Sequence, residues 1–293
     1  MAIETARGIG GNAPGAETRS TTTRSSDVNV ALAERIETAM NLPHRLDRTI
    51  VIQAAPATVF SFFTENERWA SWWGPGSTIE PRAGGRVYIR HPGGIESAGE
   101  VVEVVAPERI VFTYGFVSGK PIPPGASLVT VNVEPFGYGT RLRLAHEFAE
   151  AAVRDEHVQG WRYGLSVFGN VVTDFANANA AATVDAWFAV WSEPDAQARE
   201  RALSEIAATD LRFRDRFGMT DGIPDLVPHI GAAQRFMPGV HLRRSGDIGH
   251  CQGTVLANWI AVSDDGQERW RGSNVFVLRG DGKIEAVTGF VAK

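Results

Sequence analysis

Cysteine occurs once, at Cys251, so the chain cannot close an intrachain disulfide or build a cysteine-based zinc site. Lysine is almost missing: Lys120, Lys283 and Lys293 stand alone and arginine carries the positive charge. A net charge of −5 argues against a dedicated nucleic-acid binder. No apolar run is long enough for a membrane span, and the N-terminus has no signal-peptide pattern, so the expected location is cytoplasmic. Catalytic signatures are missing too. There is no nucleophile elbow, phosphate loop with lysine, HExxH, paired-cysteine motif or heptad run, which argues against serine hydrolysis, nucleotide hydrolysis and zinc chemistry. No cofactor and no metal is implied.

What is present is enough apolar residue for two cores: 293 residues, 43% hydrophobic and 22% charged. Residues 1–26 are rich in Gly, Ala, Ser and Thr and read as a flexible tail. Asp27 caps an expected short helix to Met40, with Val30, Ala33, Ile36 and Met40 on one stripe. The tail and this helix make up 1–44.

A first domain, 45–180, is expected to open with a strand at Arg48–Ala54. Two short helices follow, one with Pro56 in its first turn and one at Glu65–Trp73 stopped by Gly74-Pro75. Strands are then predicted at Arg86–His91, Gly99–Val105, Ile110–Phe116, Leu128–Glu134 and Thr140–Phe148. A helix from Val153 to Asn177 closes the domain, its apolar stripe made of Trp161, Leu165, Phe168, Val172 and Phe175. The small residues Asn177–Ala182 mark a break.

The second domain, 181–293, reads as helices at Val184–Trp191 and Asp195–Ala208, the Asp215 strand, and a helix at Ile223–Phe236. Strands follow at Val240–Ile248, Gly253–Val262, Arg269–Leu278 and Ile284–Ala292. The fold class is therefore α+β in both domains.

Two residues break the strand pattern. Alternation puts Leu142, Leu144, His146 and Phe148 on one face, and Leu211, Phe213, Asp215 and Phe217 on another. An ionisable group on an apolar face finds a partner, shifts its pKa or lines a cavity. His146 is either a ligand contact or a buried neutral imidazole bonded to backbone. Asp215 is either a general base or a strand-end carboxylate held by Arg214, Arg216 or a backbone amide. Tyr114 shares a face with Phe112 and Phe116 and offers a hydroxyl, and His91 sits on the Val87–Ile89 face. Asn274 shares a face with Trp270 and Phe276 and either orients a ligand carbonyl or satisfies a neighbouring strand. Trp72, Trp73 and Trp161 read as core and lid rather than as a cofactor box.

Pro56–Phe63, Trp72-Trp73-Gly74-Pro75, Gly99–Val104, Gly139–Leu142, His146 and Gly160-Trp161 together resemble the Hsp90-ATPase-activator-homologue family of the START/SRPBCC superfamily, over about 45–178. That resemblance implies a helix-grip, START-like fold with a hydrophobic cavity, placing Tyr114, His146 and Trp161 against a ligand. The eukaryotic-type activator has a further N-terminal domain, which 1–44 are too few and too polar to replace. Trp187…Trp191-Ser192, Phe213-Arg214-Asp215, Trp259, Gly272–Phe276 and Gly282-Lys283-Ile284 resemble SnoaL-like proteins of the NTF2-like fold, a cone-shaped α+β barrel. There the resemblance implies Asp215 as general base, with Phe213, Trp187, Trp259 and Asn274 as ligand contacts. The reading is a two-domain binder of apolar or aromatic small molecules, with cyclase- or isomerase-type proton transfer in the second domain. The alternative is a regulatory or co-chaperone-like module without catalysis. A homodimer is a plausible assembly.

Overall fold

The computed structural model describes residues 41–292; the expected tail and the helix ending at Met40 lie outside the described residues. The first half starts with β1 (His44–Ile52), then α1 (Pro56–Ser61) and α2 (Asn66–Trp73). Strands β2 (Thr78–Ile79), β3 (Arg86–Arg90), β4 (Glu96–Val105), β5 (Arg109–Tyr114), β6 (Ser127–Phe136) and β7 (Gly139–Phe148) follow, then the long α3 (Ala151–Ala176). They form one antiparallel sheet in the order β1-β7-β6-β5-β4-β3-β2. Consecutive strands are neighbours throughout, except that β1 closes onto β7.

Helix α3 packs on β1 and β7. Trp161, Leu165, Phe168 and Val172 are buried there, each contributing about 2 kcal/mol by removal from water. Phe175 departs from the expected stripe. It is 49% exposed and sits edge-on to Phe62 at 5.7 Å under the Arg68 guanidinium at 4.3 Å. The helix drifts relative to the apolar stripe, so its last turn faces the rim instead of the core. Aromatic residues fill the centre: Trp69 and Trp72 of α2, Phe63 just after α1 and Phe168 of α3 form a connected cluster, edge-on or tilted at 4.9–6.3 Å.

The second half follows after a three-residue turn at 177–179. It contains α4 (Ala180–Val190), α5 (Ala196–Ile206), β8 (Ala207–Arg214), β9 (Met219–Asp221), α6 (Ile223–Phe236), β10 (Val240–Arg244), β11 (Gly249–Cys251), β12 (Thr254–Ser263), β13 (Glu268–Leu278) and β14 (Ile284–Val291). Asp195 caps α5, its Oδ1 accepting from the Ala198 amide at 2.7 Å. The sheet order is β10-β12-β13-β14-β8-β9, with β11 beside β12 and a parallel β14–β8 pair. The expected strand Val240–Ile248 is shorter, because Gly246 at φ +77 breaks it before β11.

The halves touch. Asp174 of α3 pairs with His250 of β11, the Gly280 amide donates to the Tyr138 carbonyl at 3.0 Å, and the Arg279 guanidinium lies 3.6 Å over the Tyr138 ring. No helix among the described residues is long and apolar enough to cross a membrane.

Candidate functional site

In the first half several buried polar side chains gather at one place, between α3 and the strands β4–β7. His146 on β7 is fully buried. Trp161, one turn into the buried stretch of α3, has an indole N–H that can only donate, and it reaches His146 Nδ1 at 2.9 Å. Nδ1 is therefore the bare acceptor, and the proton sits on Nε2, which donates to Ser127 Oγ at 2.8 Å. The Ser127 hydroxyl in turn donates to the Tyr114 backbone carbonyl at 2.9 Å. Every group in this relay is satisfied. Burial, with His157 adding to it, holds His146 well below the ordinary imidazole value, so the ring is neutral.

Beside the relay lies a looser group. Tyr114 is buried, and burial pushes its phenol up to about 12 against a hydrogen bond from Ser97. Ser97 donates to the Tyr114 hydroxyl at 2.9 Å and meets His91 Nε2 at 2.9 Å. His157 Nδ1 donates to the Val153 carbonyl at 2.7 Å, which leaves Nε2 as an acceptor, and Nε2 is buried with no partner among the described residues. The Trp73 indole N–H is likewise buried and unpartnered, with its ring 5.4 Å from His91 and 5.7 Å from Trp161. Burial lowers the pKa of both His91 and His157; their mutual repulsion adds to the fall at His91, while the Val153 carbonyl opposes it at His157. Phe116 and Phe148 wall the group, 5.8 and 4.8 Å from the His157 ring.

The structure thus brings together Tyr114, His146 and Trp161. It also saturates His146, whose two nitrogens are both spent within the protein. His157, Ser97, Ser127 and the Trp73 N–H were not anticipated. The signal for His157 was available: it lies four residues before Trp161, on the same face of α3.

In the second half the expected residues divide into two places. Asp215 stands past the end of β8, and its Oδ1 accepts from the amides of Phe217 at 2.7 Å and Gly218 at 2.9 Å. It organises the turn into β9, as a strand-end carboxylate does. Phe217, expected beside it on the inward face, is 72% exposed, because alternation ends where the strand ends. Asn274 is buried, and its Oδ1 accepts from Trp259 Nε1 at 3.0 Å. Trp259 lies over Gly272, where a Cβ would come within 2.5 Å of the indole and 2.0 Å of the Phe290 carbonyl. A Cβ on Gly289 would meet Asn274 Oδ1 at 3.2 Å and Asp215 Cβ at 3.3 Å, so Asp215 and Asn274 share one glycine floor. Trp187 and Phe213 are elsewhere, facing each other at 5.9 Å across the gap between α4 and β8. Trp270, expected on the Asn274 face, pairs with Ala261 beside the bulge at Ala261/Val262 and is 46% exposed near the start of β13.

Two open depressions mark the surface of the second half. One, of about 730 Å³, is lined by Thr209, Asp210, Arg212, Asp221, Pro224 and Glu285, and the other, of about 490 Å³, lies along α5. Neither includes a candidate residue. Among the described residues no cluster of His, Cys, Asp and Glu is arranged to hold a metal.

Residues 53–172 match the family model of Activator of Hsp90 ATPase homolog 1-like proteins. That match runs from just after β1 into α3 and spans every group of the first-half cluster. No curated protein matches the chain. Among solved structures, a SnoaL-like family protein from Agrobacterium tumefaciens is 24% identical, with 38% of this chain and 96% of that chain covered and a TM-score of 0.37. CalU16 from Micromonospora echinospora is 23% identical (44% and 75% covered, TM-score 0.37), and the Aha1 dimer from Colwellia psychrerythraea is 16% identical (41% and 90% covered, TM-score 0.36).

Proposed function

We propose that the first half of the chain binds a small, mainly apolar molecule between its sheet and α3, where His91, Tyr114, His157 and Trp73 converge. One observation carries this reading: two polar atoms, the His157 Nε2 acceptor and the Trp73 N–H donor, are buried among aromatic rings without partners among the described residues. Each costs roughly 1–3 kcal/mol if left so, and a bound molecule offering one donor and one acceptor would recover that cost. The neutral histidines suit an uncharged guest. The family match over 53–172 supports the reading at the level of a helix-grip module.

Proton transfer at Asp215 is left out of the proposal: two amides of its own turn hold Oδ1, which favours the strand-end role, while Oδ2 keeps the capacity to take a proton. A cytoplasmic setting is proposed from the sequence alone. The test is native mass spectrometry of protein purified from its own host, followed by denaturing extraction. A stoichiometric adduct that is lost in His157→Phe while the fold persists is the expected result. An adduct retained by that variant would place the guest elsewhere. Protein that is empty, and is not stabilised by any of a panel of small aromatic alcohols, would refute the reading.

A further inference from the structure

The sheet of the first half has a second face, turned away from the aromatic core. On β5 and β6, Ile110, Phe112, Val129 and Val131 belong to that core, so alternation turns Val111, Leu128 and Thr130 the other way. Cross-strand register joins Glu103, Val111, Thr130 and Ala145 into one row across β4, β5, β6 and β7. All four are buried, and so are Val102 and Leu128 beside the row. Val102, Val111 and Leu128 form an apolar cluster of their own. The buried apolar side chains of all six described helices belong to the two main cores and none to this cluster. An open sheet face does not bury its side chains in this way. Val51, on the same face of β1 but off the row, is 48% exposed.

The chain leading into β1 shows what the face is built to take. Leu42, two residues before β1, packs against Val102, Val111 and Leu128. Asn41 has φ +47, the left-handed turn that commonly ends a helix. Ahead of it, the segment 27–40 carries Val28, Leu32, Ile36 and Met40 at four-residue spacing, with Glu34, Arg35, Glu37 and Thr38 off that line. As a helix this segment would be about 21 Å long. The row from β4 to β7 crosses three strand spacings, or about 14 Å, so one such helix is enough to span it. The charged side chains of the face are paired within it: Arg109 bonds Glu103 at 2.9 Å and Asn132 at 3.2 Å, and Arg45 Nη1 donates to Glu147 at 3.5 Å. What is left to cover is apolar.

We propose that residues 27–40 are the cover of this face, an amphipathic helix that the chain lays over β4–β7 on the side opposite α3. The first half is then a sheet held between two helices. Release of the segment would bare an apolar patch on which another protein surface could dock. The guest site lies on the other face of the sheet, so the two proposals stand or fall separately.

The test reads the cover by thiol accessibility in the full chain. Cys251→Ser removes the exposed native thiol, and Val111→Cys or Val51→Cys then places one thiol on the face, within the row or beside it. Val111→Cys is expected to react with a maleimide roughly tenfold or more slowly than Val51→Cys. Adding Leu32→Asp and Ile36→Asp together is expected to remove most of that difference and to leave the Val51→Cys rate unchanged. If the Val111→Cys chain does not fold, methyl nuclear Overhauser contacts of Val111 and Leu128 with Leu32 and Ile36 in the unmodified chain read the same packing. Equal rates for the two thiols, protection that survives the aspartate pair, or absence of those methyl contacts would overturn the proposal. Methyl contacts found only between differently labelled copies would assign the cover to a second copy of the chain, and that too would overturn it.

Discussion

Replacing Ser127 with alanine is the sharpest perturbation of the first half, because it deletes one oxygen that serves two buried groups. His146 Nε2–H loses its acceptor and the Tyr114 carbonyl loses a donor, while Trp161 still holds Nδ1. The stranded N–H is on a residue with no solvent access, so its cost falls in the range of 1–3 kcal/mol for an unsatisfied buried group. A loss of about 2 kcal/mol, or roughly 4–8 °C in melting temperature, is expected. His146→Leu strands only the Trp161 N–H, since Ser127 still donates to Tyr114. The double variant therefore costs less than the sum of the two singles, by about 1 kcal/mol, as coupled neighbours do. Urea unfolding followed by near-ultraviolet circular dichroism measures all three. A Ser127→Ala change within 0.5 kcal/mol of wild type, or two costs that simply add, would show that the relay is not a connected network.

The neutral histidines predict a direction in pH. With the folded-state pKa of His146 depressed by burial, only the unfolded chain takes up a proton there as the pH falls through about 6.5, so stability is level above that point and declines below it. His146 alone contributes up to about 1.4 kcal/mol per pH unit, and urea midpoints at pH 7.5, 6 and 5 should show a shallower fall in His146→Leu. Gly272→Ala is expected to cost about 3 kcal/mol, because its Cβ would strike the Phe290 carbonyl and the Trp259 ring; a melting temperature equal to wild type would contradict that. Asp215→Ala should lose about 1 kcal/mol of stability through its turn, and Asp215→Asn much less, since an amide oxygen can still accept from Phe217 and Gly218. Calorimetry on the two variants separates these outcomes.

The elements themselves were legible because their signals are local. Pro56 in the first turn of α1, Gly74 after Trp73, and the period-2 runs of β3 to β7 each decide a boundary within a few residues. Legibility fell where a pattern was carried past its cause. Phe175 continued an apolar stripe after the core had ended, and Phe217 continued an alternation after β8 had ended. Strand β2, two residues long, is too short for any periodicity to reveal.

The functional groups were harder to rank, and the reason is pairing. His146 and Trp187 both looked like ligand contacts because each sits on an inward face. The deciding partners of His146 are Ser127, 19 residues earlier, and Trp161, 15 residues later, on a different strand and on a helix. Those partners consume both ring nitrogens, so a residue chosen for its isolation is the most fully satisfied in the cluster. Trp187, by contrast, has an indole N–H that meets no acceptor among the described residues, in an equally buried position. A polar atom can recognise a guest only with hydrogen-bonding capacity that the fold has not used, and that remainder depends on contacts between segments that no local pattern encodes.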